Sequence, residues 1–354
     1  MSSPNTHSLL SPSSSHRWLI CTPSAVLESA EPSVQSPYAE EGTEAHSLAE
    51  LKLSYRLGQM NEKEFETRLK IFKENSKYYD SEFEEYVDEY CNELMNIVNE
   101  EYKDIETKVY LEERVKFEDI VPQGSGTSDA VIVGKDFIHI VDLKFGKGVS
   151  VSAVDNPQLK LYALGAISKF VRVCNCKFVK TTIIQPRLHN KSTDVITIEE
   201  LNDWAINFVK PRAELASKGL GELVPGDHCK FCKIRGKCKV LADKQLEEAK
   251  KEFSDEIISG ESALNPNVLT PEVISKILTI GPKFVDWFKD VEAYAMKQAL
   301  HNNLKIPGFK LVEGRSSRTI LDKDSVIDVL KASGFTEDQY LKPADILGIS
   351  ALEK

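Results

Sequence analysis

Residues 126–144 read GTSDAVIVGKDFIHIVDLK. Two apolar runs rich in β-branched residues flank a tight turn, the pattern of a β-hairpin with strands GTSDAVIV and FIHIVDLK. Each strand carries one carboxylate, Asp129 and Asp142, and a lysine follows at Lys144. Strand side chains alternate faces with period two, so Asp142 and Lys144 point the same way. A turn centred on Lys135 and Asp136 pairs Gly134 with Phe137 and sets Asp129 opposite Asp142. A turn centred on Gly134 and Lys135 sets Asp129 opposite Ile140, still on the same face; only a three-residue loop separates the two acids. Directly opposed residues have Cβ atoms roughly 5 Å apart, and like charges so placed repel. Two buried carboxylates beside a lysine need a cation or a proton to resolve them, and a divalent metal is the economical answer.

The totals set the frame. The chain has 354 residues, 41% hydrophobic and 28% charged, which suits a globular protein with a main domain and appendages. No apolar run approaches the roughly 20 residues of a membrane span. The N-terminal stretch lacks the features of a secretory signal, so a cytoplasmic location is expected. Net charge is −10, but residues 58–104 hold six Lys/Arg and fourteen Asp/Glu, a net of −8, which leaves only −2 elsewhere. A near-neutral remainder can still present a basic groove. Seven cysteines in such a chain do not read as a disulfide framework. Cys229, Cys232 and Cys238 form C-x2-C-x5-C with Cys21 far upstream, while Cys91, Cys174 and Cys176 sit in apolar stretches as packed thiols.

In chain order, residues 1–12 are Ser/Pro-rich and are expected to be disordered. A short helix over RWLICTPSAVLE ends near Pro23, and residues 29–37 form a loop. The next helix, YAEEGTEAHSLAELKLSYRLG, puts His46, Ala49, Leu53 and Leu57 on one face. Residues 58–104 read as an acidic helical insertion packed by the stripe Phe83, Tyr86, Val87, Tyr90, Leu94, Ile97 and Val98. Residues 107–117 are a strand with Glu113 as a candidate third acid. After the hairpin, Asn156-Pro157 starts a helix with Gln158 and Tyr162 at i, i+4. A further strand ends at Pro186, and a helix over 197–218 opens with a Thr197/Glu200 capping box. The order helix, insertion, strand, hairpin, helix, strand, helix predicts an α/β fold with a small mixed sheet. Past a linker near 259–267, residues 268–354 form a helical and α+β appendage. It should hold a helix broken at Gly281-Pro282, a strand pair over 306–320 and a helix from Asp322. The final helical pattern stops abruptly, as in a truncated chain.

Together these pieces resemble the RecB-type branch of the PD-(D/E)xK nucleases over residues 13–240. The matching motifs are GTEAH with His46, GTSD with Asp129, DLK with Asp142 and Lys144, and QLKLY with Gln158 and Tyr162. The run GTSDAVIV…HIVDLKFGKGV…NPQLKLYALGA is similar to uncharacterised phage and prophage proteins described as exonuclease-like. The acidic insertion departs from the compact core of that superfamily. One cysteine ahead of the core and C-x2-C-x5-C after it resembles the iron–sulfur subgroup, which includes AddB-type and CRISPR-adaptation nucleases.

The resemblance implies a restriction-endonuclease-like domain over 13–258 and a metal-dependent DNA exonuclease of phage recombination or DNA processing, in a bacterial host cytoplasm. Asp129 and Asp142, with a backbone carbonyl near Leu143, would hold Mg2+ or Mn2+, with His46 as a further ligand. Lys144 would orient the attacking water, and Gln158 and Tyr162 the substrate phosphates. Cys21, together with Cys229, Cys232 and Cys238 of the segment 225–240, would hold a structural [4Fe–4S] cluster, with tetrahedral zinc or unligated thiols as alternatives. DNA is the implied partner, with a single-strand-annealing recombination protein beside it and no membrane. Two other readings stay open: a non-cleaving nuclease fold that holds DNA or a protein, and a CRISPR-adaptation-type nuclease.

Overall fold

The structure is a computed structural model that describes residues 8–32, 36–252, 271–312 and 323–340. The chain divides into two compact units, residues 1–294 and 295–354.

The first unit is a mixed α/β fold built on one five-stranded sheet: β1 (Lys108–Lys116), β2 (Ser125–Val133), β3 (Phe137–Leu143), β4 (Phe178–Gln185) and β5 (Asn190–Thr197). The strands lie in sequence order, and only β3 and β4 run parallel. Their crossover is the helix Pro157–Phe170. β3 is buried along its whole length, as befits a central strand covered on both faces. The hairpin takes the first of the two registers considered: Ala130 pairs with Val141 and Val133 with Ile138. The Gly134 amide donates to the Phe137 carbonyl at 3.0 Å, so Lys135 and Asp136 are the turn and Asp129 stands opposite Asp142.

Helices cover the sheet on both sides. Before it come α1 (Ser15–Trp18), α2 (Ser24–Ser29), α3 (Pro37–Arg56), α4 (Glu62–Asn75) and α5 (Ser81–Asn96). Ala45, Leu48, Ala49 and Leu53 of α3 pack with Phe83, Val87, Tyr90 and Leu94 of α5 over Ala130, Ile132 and Val141. Within the acidic segment α4 buries no residue, whereas α5 is part of the core. Its charges also fasten it: Lys52 of α3 lies 2.8 Å from Glu84 and 2.7 Å from Asp88, and Arg56 lies 2.6 Å from Asp88. The opposite face is covered by the crossover helix, α6 (Pro157–Phe170), whose Leu159, Tyr162, Ala163 and Ala166 meet Val131, Ile138 and Ile140.

Several expectations are corrected. β5 was not expected. It is an edge strand that alternates half-buried and exposed residues, with few apolar positions to announce it. The tail is ordered from residue 8: Leu10 is buried with Trp18, and the Trp18 indole donates to the Ser11 carbonyl at 3.1 Å. One apolar anchor outweighs the Ser/Pro composition around it. The helix expected over 197–218 is α7 (Ile198–Asp203), a π-helical turn (Trp204–Val209) and α8 (Lys210–Ser217), opened by the Thr197/Glu200 capping box. After α9 (Lys239–Glu252), α10 (Pro271–His301) runs unbroken through Pro282. The preceding Gly281 has no Cβ, which removes one of the steric clashes a proline ring makes inside a helix.

The second unit holds the end of α10, α11 (Lys323–Ala332) and α12 (Glu337–Tyr340). Residues 305–312 form no strand, and 313–322 and the terminal pattern from 344 lie outside the described residues. Among the described residues no helix is long and apolar enough to cross a membrane.

His139 sits wholly buried in β3 between the Tyr102 hydroxyl, 2.9 Å from Nδ1, and the Thr182 hydroxyl, 2.8 Å from Nε2. Burial, with Lys180 and Lys191 nearby, pushes its pKa down to about 3. The unfolded chain therefore binds the proton that the folded chain refuses. The neutral form's contribution is complete above the unfolded value of about 6.5 and is lost as pH falls toward 3, at roughly 1.4 kcal/mol per unit. Urea unfolding at pH 7 and pH 5 should show a loss of about 2 kcal/mol more for wild type than for His139→Asn.

Candidate metal centre

Four elements converge where β2 and β3 end. α3 brings His46, β2 brings Asp129, β3 brings Asp142 with Lys144 just beyond it, and α6 brings Gln158 and Tyr162. Asn156 caps α6, accepting from the amides of Gln158 and Leu159, which fixes the first turn that carries Gln158.

The contacts form two linked sets. On one side, Asp129 Oδ1 is 3.1 Å from His46 Nδ1, and its Oδ2 accepts the Leu143 amide at 2.6 Å. On the other, Lys144 Nζ lies 2.9 Å from Asp142 Oδ2 and donates to Gln158 Oε1 at 3.0 Å. Gln158 Nε2 is shared between Asp142 Oδ1 at 3.3 Å and the Tyr162 hydroxyl at 3.2 Å. Asp142 is buried, and its Oδ2 is paired with the Lys144 ammonium. A carboxylate oxygen has two lone pairs, and the second fits a cation.

The electrostatics say what the acids require. Burial works against charge on His46, but Asp129, Asp142 and Glu112 outweigh it and lift its pKa to about 9. Burial and Asp129 push Glu112 up to about 7, against the pull of His46. Burial also raises Asp142, reinforced by Asp129 and opposed by Lys144. For Asp129 burial is outweighed by His46, and its carboxyl falls below the usual range. Lys144 is held above the usual lysine value because Asp142 and Asp129 overcome its burial, so it stays an ammonium ion. Burial, with Asp142 and Asp129 beside it, lifts the Tyr162 phenol far above its ordinary value, which keeps it a neutral donor.

The structure brings together all six residues expected here, and it adds one. The third acid is Glu112, with Oε1 4.0 Å from His46 Nδ1, not Glu113, which pairs with Lys169 of α6. The β1–β2 ladder passes from Leu111↔Ala130 to Glu113↔Ser128, and between them Glu112 takes a left-handed φ of 43°. That backbone state breaks the strand's alternation, so counting by twos selects the wrong neighbour. Among the described residues only His46, Glu112 and Asp129 bring three such ligand atoms within 4.8 Å of one another; Asp142 stands outside that group.

The cysteines meet elsewhere. Cys21, Cys229, Cys232 and Cys238 line one small cavity with Ile234 and Leu241. Burial raises the Cys21 thiol against hydrogen bonds from the backbone at Val224 and Ser24, and pushes Cys232 up to about 12 against one from Ile234. No three of these sulfurs lie within 4.8 Å of one another. Cys91 and Cys174 are buried and Cys176 is half-buried.

The family described as "Protein of unknown function (DUF2800)" matches residues 7–354. The chain is also similar to a solved structure described as "Crystal structure of SSO0001", at 12% identity and a TM-score of 0.26. That match covers 42% of this chain and 66% of the other, so less than two thirds of its length is spanned.

Gly126 gives the centre a direct test. A Cβ there would lie 2.8 Å from the Tyr162 ring and 2.8 Å from Pro12. Gly126→Ala should cost about 1–3 kcal/mol, seen as a lower urea midpoint with an unchanged m-value.

Proposed function

The chain belongs to the DUF2800 family, and we propose that it is a metal-dependent deoxyribonuclease, an exonuclease with a RecB-type PD-(D/E)xK centre. The observation that carries this reading is the Lys144–Asp142–Gln158–Tyr162 chain set beside Asp129 and His46. Residues from four separate elements meet there, and the motif set implies a role for each. The five-stranded mixed sheet with its β3–α6–β4 crossover supports the same reading.

Asp129, Asp142 and the Leu143 carbonyl are the groups that would hold Mg2+ or Mn2+, with His46 as a further ligand. When bound, such an ion polarises the scissile phosphate and lowers the pKa of water at the site. The protein groups then divide the remaining work. Lys144, kept charged by Asp142 and aimed by Gln158 Oε1, places a positive charge where negative charge develops on a phosphoryl group. As an ammonium ion it orients water and does not take its proton. Gln158 is held by three partners at once, so its amide is fixed before substrate arrives. Tyr162, a neutral phenol, offers a hydrogen-bond donor to a phosphate oxygen.

The four cysteines would hold a [4Fe–4S] cluster with a structural role. It would tie the segment after α1 to residues 229–238, and binding energy there becomes folding energy.

Two measurements test these readings. Lys144→Ala and Asp142→Asn should each abolish cleavage of end-labelled linear DNA with Mg2+ or Mn2+ while circular dichroism stays native; full activity in either would remove this mechanism. Anaerobically purified protein should be brown and contain iron and sulfide at about four each per chain. Stoichiometric zinc in a colourless protein would overturn the cluster.

A further inference from the structure

Ser24, the first residue of α2, is only 2% exposed, and its hydroxyl has no hydrogen-bond partner among the described residues. A serine at the start of a helix ordinarily turns its oxygen to nearby backbone groups, and a buried hydroxyl normally finds a partner. Ser24 lines the same small cavity as Cys21, Cys229, Cys232 and Cys238. The charged and imidazole groups that also line it are already engaged. Arg17 lies 3.0 Å from Glu28, His228 Nε2 lies 2.8 Å from the Val224 carbonyl, and Arg235 donates to the Lys230 carbonyl at 2.9 Å.

We propose that Ser24 is a positioning residue for the [4Fe–4S] cluster these cysteines would hold, its hydroxyl donating a hydrogen bond to a cluster sulfur and so raising the reduction potential. The proposal rests on the reading of the four cysteines as cluster ligands. The backbone already supplies donors to three of the four sulfurs: from Val224 and Ser24 to Cys21, from the Gly226 amide to Cys229 at 3.4 Å, and from Ile234 to Cys232. The cavity is thus built from groups that stabilise negative charge on sulfur, and Ser24 is the side chain that adds to them. Leu223, Ile234, Val240 and Leu241 make the rest of its wall apolar. In such surroundings a hydrogen bond is electrostatically stronger than in water. Reduction places one more negative charge on a cluster, and a hydrogen bond to sulfur favours that state over the oxidised one. A hydroxyl without a partner in the protein alone is thereby explained by a partner in the loaded protein.

A redox titration of the anaerobically purified full chain, followed by electron paramagnetic resonance of the reduced cluster, tests this. Ser24→Ala removes only the oxygen. It should keep iron and sulfide at the wild-type content and be about tenfold less reduced at the wild-type midpoint, a shift of about 59 mV to more negative potential for one electron. Ser24→Thr, which keeps a hydroxyl, should titrate near wild type. If Ser24→Ala cannot retain its cluster, retention by Ser24→Thr supports the hydroxyl's role and loss from both overturns it. An iron-loaded Ser24→Ala protein with the wild-type midpoint, an equal shift in Ser24→Thr, or a cluster that takes up no electron overturns the proposal and leaves the cluster reading standing. Wild type purified without iron overturns both.

Discussion

The two-residue turn at Lys135 and Asp136 is the constraint on which the centre depends. It holds β2 and β3 in the register that sets Asp129 opposite Asp142. A slip of one residue would turn every side chain of one strand to the other face and bury the wrong set against α5 and α6. Such a slip in β3 would also carry His139 away from the Tyr102 and Thr182 hydroxyls that match its ring nitrogens. The rest follows from connectivity. The parallel partner of β3 requires a crossover, the crossover is α6, and its first turn returns to the end of β3 with Gln158 and Tyr162. α3, packed across the sheet, ends the circuit with His46.

The same register creates a charge problem that the surrounding residues only partly resolve. Three acids crowd around one histidine and one lysine. The balance is local: His46 is paired to Asp129, and Lys144 to Asp142. What remains is specific, a Tyr90 hydroxyl that is buried without a hydrogen-bond partner. Deeper in the sheet, His139 shows the contrasting solution. It is equally enclosed, but both ring nitrogens are matched by hydroxyls, and it stays neutral.

Much of the centre was legible in the sequence because it sits on regular elements. Period-two alternation placed Asp142 with Lys144, and the i, i+4 spacing placed Gln158 with Tyr162. The helical face of His46, Ala49, Leu53 and Leu57 also held: the first three line a small cavity with Glu112 and Asp129, and Leu57 packs against the core beside it. Illegibility began where local rules are overridden. Glu112 was passed over for Glu113 because no pattern announces a left-handed glutamate in a strand. Tyr90 looked like one more stripe residue, and only the absence of a partner for its oxygen sets it apart. β5 has an alternation too polar to stand out, and Pro282 follows the one residue type that spares the helix.

The docking of the first two helices has a consequence for how the chain is made. Trp18, Leu19 and Ala25 pack against Val209, Ala213 and Ala216, and Thr22 donates to the carbonyl of Leu220 across 198 residues. Arg17 holds Glu28, which in turn accepts the amide of Lys233. These helices meet Phe117, Val121 and Leu161 as well, but their contacts with α8 and the residues beyond it form only after that segment leaves the ribosome. At about 5–20 residues per second, the interval from Cys21 to Cys238 is roughly ten to forty seconds. Through that time the part of the Trp18, Leu19 and Ala25 surface that meets α8 stays uncovered, a natural target for chaperones. Closure of the domain is thus a late event, timed by translation and not by the local stability of the helices that take part.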